Sequence, residues 1–323
     1  MDEMIKQIEC PACSGADAKV MFRSSNGYPI VRCASCRLVF TDMRTAPPPS
    51  ELYPHFDQTD SGVPKVMRSS LGVFTRQREG VVRSVKASGR LLDFGCGNGA
   101  FASWMAQAGY DAVGLEPFSL GKPTEGERLL LIREPLESAA PRLGHFDVIT
   151  LWHVLEHVPR PVDVLKRLSS LLAPDGVLIV SVPNFQSWQS RVFRGSWFHL
   201  DPPRHIIHFE ADTLENCLRE ARLETTKRWE FLPEYGSSGW LQSTLNQVLP
   251  HRNYLYEVVK DRGALKDLGP ASHGFHLATS LLMGAPTVAL TMPVEAVASA
   301  FGCGAALTFA ARRTSGSKDP QPS

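Results

Sequence analysis

The sequence lacks an excess of charge of either sign, since Lys and Arg total 34, Asp and Glu total 33, and the formal net charge is +1. Binding to nucleic acid usually requires a strongly basic surface, so we expect no nucleic-acid partner. The first ten residues, MDEMIKQIEC, lack an apolar run of signal-peptide length, which predicts a cytoplasmic protein. Seven cysteines are an odd number and argue against a disulfide framework, favouring free thiols or metal ligands.

Charge is also missing locally, because positions 268–294 contain no Asp, Glu, Lys or Arg. Within them, residues 277–294 are apolar enough to be considered as a membrane segment. Gly284, Pro286 and Pro293 interrupt this stretch, so the pattern favours an interfacial or buried apolar element over a spanning helix. Peripheral membrane contact, a substrate cap and a dimer contact all remain open, as does the oligomeric state.

Four cysteines form two CxxC pairs, Cys10 with Cys13 and Cys33 with Cys36, with 19 residues between the pairs. Two such pairs on tight turns can close a tetrahedral thiolate site between flanking strands near Val20–Phe22 and Ile30–Arg32. The spacing predicts a zinc ribbon whose ion has a structural role. A redox-active CxxC is the alternative, but two pairs with a hairpin between them fit a closed metal site better than an exchanging dithiol.

The segment Arg90–Gly99, RLLDFGCGNG, contains a short apolar run and then glycines at alternate positions, Gly95, Gly97 and Gly99. An apolar helical pattern over Ala100–Ala108 follows, so the segment is typical of a strand, a tight turn and a helix. Glycines let the backbone turn sharply and approach a ligand, and the helix start offers unpaired N–H groups. The pattern predicts a nucleotide-type binding loop, with a plain strand–helix connection as the alternative.

From this loop onward, strand and helix patterns alternate, which predicts βαβ units and a parallel, doubly wound α/β sheet with ligands at the carboxyl ends of its strands. The predicted strands are Leu91–Phe94, Ala112–Leu115, Leu129–Ile132, Asp147–Leu151, Val177–Val182 and Thr225–Phe231. The predicted helices are Ala100–Ala108, Val162–Leu172 and Thr213–Ala221, with a less regular pattern over Val63–Ala87. Near the C-terminus we expect a helix that begins at Pro293 and a strand, Ala305–Ala311, that completes the sheet beside Thr225–Phe231.

An acidic residue, Glu116, ends the second strand of the predicted sheet, about twenty positions beyond the glycines. A carboxylate at this place can accept hydrogen bonds from both ribose hydroxyls of an adenosine ligand. NAD carries the same ribose, so an NAD-dependent oxidoreductase remains open on this feature alone.

Three stretches resemble the class I S-adenosylmethionine-dependent methyltransferases, namely the GxGxG loop, FDVITLWHVLEHVPRP and LLAPDGVLIVSVPN. HVLEH together with VPN is similar to the subgroup that contains ubiquinone-biosynthesis and bacterial glycan methyltransferases. The zinc ribbon ending in CRLVF and the segment HLDPPRHIIHFEADTL resemble small bacterial methyltransferases found among sugar-modifying enzymes. The resemblance covers most of residues 10–230 and about 292–313, and it implies a Rossmann-like sheet that binds S-adenosyl-L-methionine.

The resemblance also implies the contacts of that cofactor, residue by residue. The methionine end is expected at Asp93, Gly95, Gly97 and Gly99, the ribose at Glu116, the adenine between Pro117 and Leu136, and the sulfonium near Trp152 and His153. The chain departs from the family at Arg133-Glu134-Pro135, where relatives more often have a small, glycine-containing turn.

The residues His153–His157, HVLEH, also match the HxxEH signature of inverted zinc metallopeptidases. In those enzymes two histidines one helical turn apart bind zinc and the glutamate is the base. Pro159 and Pro161 follow closely here, so we expect no long metal-bearing helix. The peptidase alternative predicts a second zinc ion per chain.

Methyl transfer to a hydroxyl requires alignment, exclusion of water and removal of a proton, and histidine suits proton removal at neutral pH. The candidate bases are His153 after the fourth strand and, in the loop after the fifth, His199, His205 and His208. The same loop carries aromatic rings that suit stacking on a sugar, at Trp188, Trp197 and Phe198. A packed lid whose histidines bond to the backbone is the alternative.

The sequence divides into a zinc ribbon at 1–45, a methyltransferase domain at 46–232 and 292–313, an insertion or cap at 233–291, and a disordered tail at 314–323. The proline-rich run 46–50 marks the first boundary. We expect methyl transfer from S-adenosyl-L-methionine to a small-molecule or saccharide acceptor, at oxygen. A non-catalytic S-adenosylmethionine-binding scaffold and an NAD-dependent oxidoreductase are the alternatives.

Overall fold

The structure, a computed structural model, describes residues 4–47, 65–118, 125–229, 235–259 and 268–314. The strands are β1 Met4–Lys6, β2 Asp17–Arg23, β3 Pro29–Cys33, β4 Val39–Thr41, β5 Arg90–Phe94, β6 Asp111–Leu115, β7 Glu125–Gly126, β8 Leu129–Ile132, β9 Phe146–Trp152, β10 Leu172–Pro183, β11 Ile207–His208, β12 Leu223–Trp229 and β13 Ala306–Arg313. The α-helices are α1 Lys65–Arg83, α2 Ala100–Gln107, α3 Leu136–Leu143, α4 Pro161–Ser170, α5 Trp188–Phe193, α6 Ala211–Glu220, α7 Gly236–Val248, α8 Tyr254–Val259 and α9 Pro270–Ala300. Short 3₁₀ turns lie at Leu155–His157, Arg194–Ser196 and Phe198–Leu200.

The central sheet has eight strands in the order β12-β13-β10-β9-β5-β6-β8-β7. The five strands β10, β9, β5, β6 and β8 run parallel to one another, whereas β13 is antiparallel to both β10 and β12, and β7 is antiparallel to β8. This sheet confirms the predicted α/β, doubly wound class and the position of the C-terminal strand beside β12. The strand order reverses at β5, which has β9 on one side and β6 on the other, so the ligand crevice of such a fold lies at the carboxyl ends of these strands.

The central strands form because apolar side chains cover both faces of the sheet. Leu91, Ile149 and Ile179 on three neighbouring strands are fully buried. Helix α4 buries one stripe of side chains, including Val162 and Leu165, against the sheet, as its 3.6-residue spacing predicts. The predicted βαβ pattern is therefore confirmed in its packing.

The N-terminal residues 4–47, here called the N-terminal module, contribute four strands to a second sheet, in the order β1-β2-β3-β4-β11. The predicted hairpin is confirmed, with Val20 opposite Val31 in the antiparallel pair β2 and β3. The fifth strand, β11, comes from much later in the chain, and its Ile207 pairs with Phe40. A segment of the main body therefore completes the sheet of the N-terminal module.

The two sheets also share a hydrophobic core. Val31 and Phe40 of the N-terminal module belong to the same cluster of buried side chains as Leu214 of α6. Arg32 donates two hydrogen bonds, of 2.8 and 2.7 Å, to the carboxylate of Glu210 at the start of α6. The predicted boundary near residue 46 is thus a division along the chain, whereas the packing is continuous across it.

The apolar C-terminal segment differs from its prediction. Helix α9 runs without a break from Pro270 to Ala300, whereas the sequence pattern predicted interruptions at Gly284, Pro286 and Pro293 and a new helix start at Pro293. That prediction was wrong because each proline removes only one helical hydrogen bond. The carbonyl left without its donor lies in an exposed part of the helix, where water can replace the lost bond.

Tertiary contacts hold α9 at both ends. His276 and Glu295 are 2% and 4% exposed. The Glu295 carboxylate accepts hydrogen bonds from Gln189, Trp240 and the backbone N–H of Ala305. Between these anchors α9 is long and apolar enough, by length and composition, to cross a membrane, and only 11% of its most apolar window is buried. It is therefore not a core helix.

Some predicted features lie outside the described residues. These are positions 48–50 of the proline-rich run, the beginning of the Val63–Ala87 helix before Lys65, the last two residues of Thr225–Phe231, and the predicted tail after Thr314.

Candidate functional site

The glycine loop between β5 and α2 is built as predicted. Gly95, Gly97 and Gly99 all have positive φ angles, of 76°, 56° and 80°. A Cβ on Gly95 would overlap the side chain of Val154, so glycine is required for the close approach to the chain after β9. A Cβ on Gly97 would meet no heavy atom within 4 Å, so this residue leaves open space beside the loop.

Glu116 follows β6 and reaches this loop. Its carboxylate accepts hydrogen bonds from the backbone N–H of Gly97 at 3.2 Å and of Phe118 at 3.1 Å. Arg133 donates to the carbonyl oxygen of Gly97 at 2.6 Å, so the unusual Arg133-Glu134-Pro135 segment fixes the loop from the other side. The remaining lone pairs of the Glu116 carboxylate are available to the hydroxyls of a ribose.

A large cavity, of about 1110 Å³, begins at this loop. Gly95, Gly97, Glu116 and Pro117 line one part of it, and the N-terminal module contributes another wall through Phe40–Arg44. The third part of the wall carries ionisable and aromatic side chains, namely His153, Glu156, His157, Phe198, His199, Asp201, Arg204, His205, Tyr235 and Tyr256. One cavity therefore joins the predicted cofactor loop to most of the predicted bases.

His153 and Glu156 form a pair at the end of β9. His153 has a φ of 56°, a sterically costly angle for a residue with a Cβ, and its imidazole lies against the ring of Tyr235 with 3.6 Å between ring centroids. Its Nδ1 lies 3.4 Å from Oε1 of Glu156. Its Nε2 is buried and has no hydrogen-bond partner among the described residues. The carboxylate thus orients the imidazole, and Nε2 is the ring nitrogen that has no partner among the described residues.

Glu156 is 1% exposed and lies among three imidazoles. Burial opposes its ionisation, but the contact with His153 and electrostatic interaction with the imidazoles of His153, His157 and His205 outweigh burial and lower the pKa of Glu156 to about 2. The carboxylate is therefore ionised at neutral pH.

His157 and His205 face each other, with 4.6 Å between ring centroids. Nδ1 of His157 lies 2.9 Å from the carbonyl oxygen of Arg204, and Nδ1 of His205 lies 2.7 Å from that of His199. A carbonyl oxygen only accepts, so both Nδ1 atoms carry a proton. Burial lowers the pKa of His205 to about 4, so this ring is neutral and its Nε2 holds a lone pair.

Only some of the aromatic and histidine residues predicted to form a site in the loop after β10 line the cavity. Phe198 lines the cavity together with His199 and His205, but Trp197 is 1% exposed and packs in a separate core cluster. Trp188 does not line the cavity, and His208 is buried with its Nε2 at 3.0 Å from Thr41 Oγ1. Trp197 and His208 are therefore packed away from the cavity. Backbone contacts of the kind that the packed-lid alternative predicts occur at His199 and His205, which face the carbonyl oxygens of Tyr235 and His199. Tyr235 and Tyr256 supply further rings of the cavity wall.

Several predicted cofactor residues lie behind the cavity wall instead of on it. Trp152 packs edge-on against Phe101 in the core, and its Nε1 has no hydrogen-bond partner among the described residues. Asp93 and Leu136 are 3% and 4% exposed. These residues do not line the cavity, and neither does Gly99 at the N-cap of α2.

Asp93 is buried under the glycine loop with a hydrogen bond of 2.9 Å from Thr150 Oγ1. Burial raises the pKa of Asp93 to about 7, although Thr150 and the charge of Arg78 favour its ionised form. This carboxyl group therefore changes charge near neutral pH in the protein without ligand.

The cysteine pairs of the N-terminal module meet as the spacing predicts. The four Sγ atoms of Cys10, Cys13, Cys33 and Cys36 lie within 4.8 Å of one another. Two of the sulfur–sulfur distances are 3.5 and 3.6 Å. Four Zn–S bonds in a tetrahedron place sulfur atoms about 3.8 Å apart, so the donor set fits a structural zinc ion.

The HVLEH segment follows β9, which ends at Trp152, and it forms one 3₁₀ turn, Leu155–His157, and not an α-helix. The two histidines therefore do not share a helix face, and the metallopeptidase arrangement is not formed. Sequence reasoning named Glu156 and His157 only through that signature and missed their approach to His205. It also missed Tyr235 and Tyr256, for which no local pattern exists.

Comparison with known proteins connects this geometry with a family. The family described as "Methyltransferase domain" matches residues 74–227. The ubiquinone biosynthesis O-methyltransferase of Actinobacillus pleuropneumoniae serotype 5b is 36% identical over 164 residues, which cover 45% of this chain and 70% of that protein. The chain belongs to the class I S-adenosylmethionine-dependent methyltransferases. Membership decides against the oxidoreductase and peptidase alternatives.

Other relatives match this chain over a shorter stretch. The ubiquinone biosynthesis O-methyltransferase of Haemophilus ducreyi is 38% identical over 107 residues, 29% of this chain and 45% of that protein. The chain thus spans about half the length of several curated relatives that it matches. Among solved structures, the [4+2]-cyclase SpnF has a TM-score of 0.47 and 17% identity, covering 75% of this chain and 81% of its own. The Burkholderia thailandensis 1,6-didemethyltoxoflavin-N1-methyltransferase has a TM-score of 0.37 and 20% identity, covering 48% and 70%.

The buried carboxyl of Asp93 gives a prediction for stability. Because its pKa is about 7 in the folded state and 3.8 as the ordinary value, the folded state binds more protons between these limits, and stability falls as pH rises through them. We expect the wild type to lose about 2 kcal/mol between pH 5 and pH 7 relative to Asp93→Asn, measured by urea denaturation. The exposed Asp111→Asn should follow the wild-type profile. Parallel profiles for Asp93→Asn and wild type would contradict the assignment.

Proposed function

We propose that this methyltransferase transfers a methyl group from S-adenosyl-L-methionine to a hydroxyl oxygen of a small-molecule or glycan-related acceptor. The observation that carries the proposal is the single cavity that joins the glycine loop and Glu116 to the His153–Glu156 pair. An enzyme of this kind must hold the cofactor and a proton acceptor on the same enclosed space.

The residues present fit the cofactor. The open space at Gly97 lets a ligand approach the backbone, and the Glu116 carboxylate is fixed by two backbone N–H groups with lone pairs left for ribose hydroxyls. Pro117 extends the same wall toward the adenine side. When bound, S-adenosyl-L-methionine supplies an activated methyl group on a sulfonium. The chain's own tasks are alignment, exclusion of water and proton removal.

His153 is the proposed base. The acceptor hydroxyl gives its proton to Nε2 of His153 as the oxygen forms its bond to the methyl carbon, and the electron pair of the broken carbon–sulfur bond stays on sulfur. Glu156 keeps His153 oriented through Nδ1 and stabilises the imidazolium that forms. His199 is a poorer candidate because burial lowers its pKa to about 3.

The acceptor side of the cavity suits a flat or ring-shaped molecule. Phe198, Tyr235 and Tyr256 offer aromatic faces, and Arg204 brings a positive charge balanced by Asp201 at 2.8 Å. The relatives named above are O-methyltransferases by their names, which supports oxygen as the acceptor atom. We propose a cytoplasmic location for the reaction.

Replacing Glu116 tests the cofactor site. Glu116→Gln removes the charge that receives the ribose hydroxyls, and we expect it to weaken binding of S-adenosyl-L-methionine by about 1–3 kcal/mol in isothermal titration calorimetry. The exposed Glu127→Gln is the matched control and should bind as the wild type does. Unchanged affinity in Glu116→Gln would show that the cofactor lies elsewhere.

Replacing His153 tests the base. With acceptors found by screening nucleotide sugars, saccharides and hydroxylated aromatics for S-adenosylhomocysteine release, His153→Ala should lower kcat by roughly 100-fold or more while cofactor affinity stays within about twofold. The exposed His145→Ala should keep wild-type turnover. Equal kcat in His153→Ala contradicts the assignment, and binding of the cofactor without turnover of any acceptor favours a non-catalytic scaffold.

We also propose that the four cysteines of the N-terminal module hold one structural zinc ion. Their sulfur distances fit tetrahedral coordination, and none of the four cysteines lines the cavity, which supports a structural role for the ion.

We further propose that α9 docks the protein on a phospholipid membrane. Exposed large apolar side chains lie along it at Phe275, Leu277, Leu281, Leu282, Leu290, Met292, Val294 and Val297. At about 100° per residue these positions point to most sides of the helix, and a lipid phase can cover several sides where a protein partner covers one. Its single charged residue, Glu295, is buried, so none faces the lipid.

Vesicle flotation tests this contact. The wild type should float with vesicles of phosphatidylethanolamine and phosphatidylglycerol, and the double variant Leu281→Asp/Leu282→Asp should lose at least about tenfold in bound fraction because two charges must then enter the lipid. The control Val73→Asp/Val192→Asp changes two other exposed apolar residues, which lie outside α9, and should float as the wild type does. A wild type that stays with the soluble fraction overturns the membrane contact.

A further inference from the structure

The ring of Tyr235 lies on the imidazole of His153, closer than two residues that only share a cavity wall need to be. The two ring centroids are 3.6 Å apart, and the ring planes are tilted by 37°. The rings are therefore in direct contact, and one side of the imidazole is covered by the tyrosine. Tyr235 belongs to the stretch 233–291, which the sequence predicted as an insertion or cap.

His153 has little else to fix the orientation of its ring. Its backbone has a φ of 56°, which is costly for a residue with a Cβ. Its Nδ1 lies 3.4 Å from Oε1 of Glu156, which is longer than a strong hydrogen bond. This contact alone leaves the imidazole room to turn about its Cβ–Cγ bond, where the torsional preference is broad. A ring packed on its face limits that rotation.

Tyr235 is itself held from two sides. On the side-chain end, Nη2 of Arg78 in α1 donates a hydrogen bond of 3.0 Å to the phenolic oxygen. On the backbone end, the carbonyl oxygen of Gly236 accepts a hydrogen bond of 2.8 Å from Nε2 of Gln189. Gln189 is fully buried and also donates to Glu295 of α9, at 3.1 Å. Three separate chain segments therefore fix the place of the tyrosine ring.

We propose that Tyr235 is a positioning residue for methyl transfer, which holds the imidazole of His153 in place and stabilises the imidazolium that forms. This role rests on the proposed function, in which Nε2 of His153 takes the proton of the acceptor hydroxyl. The face of an aromatic ring attracts a cation, so Tyr235 stabilises His153 more after the proton transfer than before it. The predicted cap thus supplies a part of the reaction centre.

Nuclear magnetic resonance of the histidine rings tests the contact without any activity measurement. Protons over the face of a tyrosine ring are shifted upfield, and the signals of His153 are assigned by their loss in His153→Gln. We expect upfield His153 signals in the wild type and in Tyr235→Phe, which keeps the ring. In Tyr235→Leu they should move toward the signals of the exposed His145. The control Tyr256→Leu removes another ring of the cavity wall and should leave the His153 signals unchanged.

Kinetics tests the role. With an acceptor found in the screen described above, Tyr235→Leu should lower kcat by roughly tenfold and leave both KM values within about twofold, because a displaced base slows the reaction without weakening binding. Tyr235→Phe should keep kcat within about threefold of the wild type, since the covering ring is retained.

His153 signals without an upfield shift in the wild type overturn the proposal even if Tyr235→Leu fails to fold. A raised KM for the acceptor with unchanged kcat in Tyr235→Leu also overturns it, because the ring would then bind the acceptor and not position the base. If His153→Ala lowers kcat and Tyr235→Leu does not, the proposed function stands and the role of Tyr235 is wrong. If neither variant lowers kcat, the proposed base is wrong as well.

Discussion

An ionised carboxylate at the end of a central strand constrains the surroundings of this cavity. Glu156 is almost fully buried, and a buried ion costs several kcal/mol unless opposite charge or hydrogen bonds compensate it. The imidazoles of three histidines surround it and favour its ionised form, and one of them, His205, belongs to a distant segment. The loop that carries His205 lies against the turn after β9, and the two segments together form this side of the cavity wall.

A chain of hydrogen bonds connects the turn after β9 and the loop that carries His205 to the N-terminal module. The backbone N–H of Ile206 donates to the carbonyl oxygen of Glu156 at 2.9 Å, and that of Thr41 donates to the carbonyl oxygen of Ile206 at 2.8 Å. Thr41 Oγ1 also donates to the carbonyl oxygen of His205 at 2.9 Å. The N-terminal module thus holds the loop that carries His205 in place through these hydrogen bonds.

The cofactor side of the site was largely predictable, because its parts are encoded close together in the chain. The glycines of the loop and Glu116 each follow a strand directly, and parallel strands bring their carboxyl ends to one edge. The apolar helix α9 was less predictable, since proline preferences describe an isolated helix and not one anchored through His276 and Glu295. Propensity is a weak indication wherever tertiary contacts hold both ends.

The sequence by itself determined the α/β class, the order of the main strands from β5 onward, the cysteine cluster, the glycine loop and the family. These follow from local periodicity and spacing, which a single stretch of chain carries. Only the tertiary structure decided which histidines face the cavity, that Trp197 and His208 are packed away, and that Glu156 meets His205. Those outcomes depend on contacts between segments far apart in the chain. One example is the buried carboxylate of Glu156, which is stabilised by a side chain from the distant segment that carries His205.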